Sequence, residues 1–76
     1  MTAPERLALL ERQAEQAYDA MYEAHSAPHA AACYSVAKEA LYGAITIAEE
    51  LRAEDSRKRL ENRLAHIKAV FRSQFT

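Results

Sequence analysis

The sequence predicts an all-α fold, an antiparallel bundle of three helices made of a helical hairpin plus a third helix. Three observations predict it. Leu7, Leu10, Ala14, Ala17, Met21 and Ala24 follow one another at steps of three and four, which lays them along one seam of a helix. Tyr34, Ala37, Leu41, Ala44, Ala48 and Leu51 repeat those steps, and Leu60, Leu64, Ile67, Phe71 and Phe75 define a third stripe. The first two seams are heptad-like and rich in alanine, a pattern of helices that pack on other helices with their backbones close together.

The first helix is predicted from about Ala3 to Ala24. Thr2 can cap it, Pro4 falls in the first turn where no amide donor is missed, and Glu5 completes a capping box. Ser26-Ala27-Pro28-His29 repeats this grammar just where the first periodic pattern fades. A break at residues 25–27 follows, and so short a connection turns the second helix back against the first.

The second helix is predicted from about Ala27 to Arg52, with a wider apolar band than one seam needs. Cys33, Ala40 and Ile47 form a parallel row and Ile45 flanks it, so this helix is expected to be central and to touch two neighbours. Gly43 costs about 1 kcal/mol there relative to alanine, unless a close backbone approach uses the missing side chain. Between Leu51 and Leu60 the apolar pattern slips out of phase, which predicts a turn near residues 53–56 with Asp55 or Ser56 as the next cap. A continuous helix through this stretch is the alternative, because neither glycine nor proline marks it. Leu7, Leu10, Met21, Leu41, Leu51, Leu60, Leu64, Ile67 and Phe71 are expected to supply most of the burial.

The Ala37-x-x-x-Leu41-x-x-Ala44 spacing resembles the second helix of a tetratricopeptide unit, and the three-helix layout resembles small trafficking modules of the microtubule-interacting-and-transport type. The first resemblance covers eight residues and the second only helix order. The aromatic and glycine pattern of a first tetratricopeptide helix is absent and no second copy follows, so neither resemblance assigns a family.

With 76 residues the chain is one domain, and a chain this short leaves roughly 40% of its unfolded-state surface exposed after folding. Burying an alanine methyl offsets little of a backbone ordering cost of about 1–2 kcal/mol per residue. A second chain supplying more apolar surface is therefore expected, as a homo-oligomer and most simply a dimer. No uninterrupted apolar run approaches the roughly 20 residues that cross a bilayer. The start Met1-Thr2-Ala3-Pro4-Glu5-Arg6 lacks the features of a secretory signal, and Cys33 is the one cysteine, so a cytoplasmic protein without a disulfide framework is expected.

The net charge of −1 hides a lopsided distribution. Residues 1–51 hold three cations against eight acids, whereas residues 52–76 hold seven cations against three acids, giving −5 and +4. Such a split serves self-association or the binding of another molecule.

Four chemistries deserve a structural test. His25, His29 and Cys33, spaced four apart, carry ligand types that suit zinc, although Pro28 and the inferred turn separate His25 from the other two. Their plain reading is two surface imidazoles and one small buried thiol; no cofactor is predicted. Nucleophilic catalysis by Cys33 or Ser35 with a neighbouring histidine, or phosphotransfer through His66, lacks the glycine loops and concave setting such reactions use, and no enzyme is predicted. Arg57, Lys58, Arg59, Arg63, Lys68 and Arg72 would give the third helix a nucleic-acid-binding face, but aromatic residues are not interleaved with them. Alternatively these cations solvate the third helix and pair with the acidic face of the first, and Glu54, Asp55 or the Glu11 and Glu15 of a partner chain would balance those at the start of the third helix. Tyr18, Tyr22, Arg57, Arg59, Arg63, Phe71 and Phe75 are the residues predicted to meet a partner, Phe75 because a fraying last turn would leave it exposed. The function predicted is a small, non-enzymatic helical interaction module that self-associates; a nucleic-acid-binding regulator and a metal-binding protein are the alternatives.

Overall fold

A computed structural model describes residues 1–75 as three helices, α1 (Ala3–Glu23), α2 (Ala27–Glu50) and α3 (Glu54–Gln74), with no strand among them. α1 packs on α2 and α2 on α3, the three-helix bundle the seams predict. The body measures 38 × 23 × 13 Å.

Each helix start follows from its local sequence. The Glu5 amide donates to Thr2 Oγ1 at 3.3 Å and the Thr2 amide to Glu5 Oε1 at 3.2 Å, a reciprocal box that satisfies amides the helix cannot. Ser26 Oγ accepts from the His29 amide at 3.2 Å and opens α2, with Pro28 in its first turn. α3 begins differently. Its N-cap is Ala53, which offers no side-chain acceptor, and Asp55 and Ser56 lie inside the first turn rather than capping it.

The turn between α2 and α3 therefore sits earlier than the predicted 53–56. The Ala53 amide donates to the Ala48 carbonyl at 2.9 Å and the Arg52 amide to that of Glu49 at 3.1 Å, the paired bonds of a Schellman motif. Arg52, at φ 56°, occupies the left-handed position where glycine is usual. The slip in apolar phase explains why a break is needed. Leu60, Leu64, Ile67 and Phe71 would stand roughly a quarter of a turn away from Tyr34, Leu41, Ile45 and Ala48 if the two helices were one, so a straight rod could not bury both stripes on one neighbour.

Met21, Leu41, Leu60 and Ile67 are the largest fully enclosed side chains, and Leu7, Ile47 and Leu64 complete the large members of the core. Alanines fill the rest of it: Ala14, Ala17, Ala30, Ala37, Ala40, Ala44 and Ala48 are all buried. An added Cβ on Gly43 would lie 3.2 Å from Leu10 Cδ1, so the missing side chain does admit a close approach of α1 and α2. Three expected core members behave otherwise. Leu51 is 43% exposed because it caps α2, where the chain turns away from the bundle, and Leu10 and Phe71 are half-buried at the margin.

Candidate interaction surface

α1 and α3 meet mainly through the tips of long side chains, and those tips come from the two oppositely charged parts of the sequence. Glu11 and Glu15 stand one turn apart on α1, as do Arg59 and Arg63 on α3. Arg63 grips Glu15 with two bonds, Nε to Oε2 at 2.7 Å and Nη2 to Oε1 at 2.6 Å. Arg59 donates to both carboxylate oxygens of Glu11, to Oε1 at 3.2 Å. The hydrogen bonds from these guanidinium groups to their carboxylates raise the pKa of both arginines, and partial burial works against the rise. With Asn62 and His66, the two pairs line an open groove of about 460 Å³.

At one end of this groove the helix ends that the antiparallel order brings together share a run of rings. Tyr34 of α2 stacks on Phe71 of α3 with centroids 3.9 Å apart, Phe71 lies parallel to Phe75 at 5.9 Å, and Phe75 meets Tyr22 of α1 edge-on at 5.4 Å. Tyr22 in turn meets Tyr18 at 5.4 Å, and their hydroxyls lie 3.1 Å apart. That hydrogen bond, with burial, raises the Tyr18 pKa. The Arg63 guanidinium lies over the Tyr18 ring at 4.8 Å and His66 Nε2 is 3.5 Å from its hydroxyl. One arginine thus joins the ion pairs to the rings.

Six of the seven residues predicted to meet a partner are consequently held by another helix of their own chain: Tyr18, Tyr22, Phe71 and Phe75 in the ring run, and Arg59 and Arg63 in the α1–α3 pairs. Phe75 is half-buried rather than exposed, because Tyr22 and Phe71 pack on it at the end of α3. The seventh, Arg57, pairs within α3 with Glu54 at 2.6 Å and Glu61 at 2.5 Å. Lys68 donates to the Tyr42 hydroxyl at 2.8 Å, which lowers the Tyr42 pKa, and this link between α2 and α3 has no counterpart in the sequence reading. The cations proposed for a nucleic-acid face thus have partners within the chain at Arg57, Arg59, Arg63 and Lys68.

No family model, curated protein or solved structure matches this chain.

His25, His29 and Cys33 do not come together. His25 lies in the α1–α2 link, His29 at the first turn of α2 and Cys33 a turn further on, where its thiol is half-buried and free. No group of three or more histidine, cysteine or acidic residues is arranged to hold a metal ion among the described residues. No helix is long and apolar enough to cross a membrane among the described residues. Large apolar side chains that do stay outside are Leu9, Tyr22, Val36, Tyr42 and Leu51, between 36% and 52% exposed, together with Met1. They are spread over α1, α2 and the α2–α3 link.

Proposed function

We propose that the chain is a small helical interaction module that self-associates as a dimer and carries out no catalysis. The observation that supports this reading is the lightness of the core. Half of its buried apolar residues are alanines, while Leu9, Val36 and Leu51 stay at the surface. An alanine side chain gains about 0.8 kcal/mol on burial, against a backbone ordering cost of about 1–2 kcal/mol per residue. A second copy adds apolar contact that a bundle of this size lacks. The reading assigns the protein to the cytoplasm, where a lone thiol such as Cys33 stays reduced.

Light scattering across micromolar concentrations tests it. The particle mass is expected at twice the 8.6 kDa of one chain, with a melting temperature that rises with protein concentration. A stable particle of single-chain mass at every concentration would refute the reading.

A further inference from the structure

We propose that two copies of this chain associate by exchanging α3: the link at Leu51–Ala53 opens, and the third helix of each copy docks on the α1–α2 hairpin of the other. This rests on the self-association reading and adds the manner in which it occurs.

The two links of the bundle differ in what holds them. The first is fixed by the Ser26 cap and by Pro28, and none of its residues is in the left-handed region. The second is three residues long and turns on Arg52 at φ 56°, the only non-glycine residue with positive φ among those described. A β-carbon in that conformation is crowded by the backbone. The helix that follows starts on Ala53 with no side-chain cap. A short link under strain is the circumstance that favours exchange of an element between copies, because opening it relieves the strain.

Little else is lost by the exchange. Everything that holds α3 is non-covalent and reaches across the sequence: Leu60, Leu64 and Ile67 in the core, Phe71 on Tyr34, Lys68 on Tyr42, and the pairs of Arg59 and Arg63 with Glu11 and Glu15. Each forms identically when α3 arrives from a second copy. The acidic first helix and the basic third then meet between chains.

Cross-linking tests this on the full chain. In a Cys33→Ala background, Glu15→Cys with Arg63→Cys places one thiol on α1 and one on α3, and Tyr42→Cys with Lys68→Cys does the same for α2 and α3 without touching the ion pairs. Each protein is treated with a short bismaleimide at a concentration where light scattering gives a dimer. Covalent dimers on a denaturing gel are the expected product of both pairs. Cross-links confined to single chains within a scattering dimer would overturn the exchange and leave self-association standing; single chains in both measurements would overturn both. Arg52→Gly removes the crowded β-carbon at two links per dimer and is expected to weaken dimerisation about tenfold or more, whereas Arg52→Ala, which keeps it, leaves the constant near that of the parent. Equal constants for the glycine and alanine variants would overturn the role of the link.

Discussion

Arg52 and Gly43 are the two positions where backbone geometry and side-chain identity pull apart. In the left-handed region a non-glycine residue costs about 1–2 kcal/mol, offset in part by the greater freedom glycine loses on folding. Arg52→Gly should therefore stabilise the folded single chain by about 1 kcal/mol. Urea melts at the lowest workable concentration check this, and Arg52→Ala should show no such gain. Gly43 poses the opposite question. Alanine in mid-helix is worth about 1 kcal/mol more than glycine, but the new methyl would lie 3.2 Å from Leu10 Cδ1. Leu10 is half-buried and can give way at a cost. Gly43→Ala should thus gain less than the full increment in the parent and nearly all of it when Leu10 is already alanine. A double-mutant cycle measures the difference, and equal gains in both backgrounds would show that the contact does not limit the site.

The helix starts were legible wherever a cap carries its own chemical signature. Thr2 with Glu5 and Ser26 with Pro28 predict the beginnings of α1 and α2 to the residue, and the apolar phase slip predicts that α2 must stop. Its stopping point was not legible, because the left-handed turn is made by an arginine where glycine or asparagine would have announced it. The capping box also makes a pH prediction. Hydrogen bonds from the Thr2 hydroxyl and amide hold the Glu5 carboxyl below its ordinary 4.5, so the fold favours the ionised form. That contribution is complete at neutral pH and is lost as the pH falls through 4.5 and then through the folded-state value. Glu5→Gln should therefore lower stability most at neutral pH, converge with the parent at acid pH, and so flatten the acid limb of a stability-against-pH curve. The α1–α3 pairs are a separate case, since their side chains are a third to a half exposed. A cycle of Glu15→Gln with Arg63→Met should give a coupling of about 0.2–1 kcal/mol that shrinks as salt is raised. A larger, salt-insensitive coupling would mean that water is kept out of the groove.

At the scale of the whole molecule, which residues would matter was legible and what they touch was not. A tyrosine pair, two late phenylalanines and a basic stretch are visible in the sequence, but a charge or ring does not say whether its partner lies on the same chain. That depends on which helix ends the antiparallel order brings together. Here the end of α1, the start of α2 and the end of α3 meet, and Tyr34, Phe71, Phe75 and Tyr22 join them in one run of rings. Phe71 is the middle of that run, parallel to Tyr34 on one side and to Phe75 on the other. Its removal should cost more than that of Phe75, which ends the last helix. A full Phe→Ala loss in a core is about 3–5 kcal/mol, and half-burial should reduce it to roughly 2 kcal/mol for Phe71→Ala and to about 1 kcal/mol for Phe75→Ala. The alanine-packed α1–α2 hairpin does not depend on these rings for its seam. Hydrogen exchange in Phe71→Ala should accordingly quicken more in α3 than at the buried middle of α1 and α2. Uniform quickening over all three helices would instead mean that the bundle opens only as a whole.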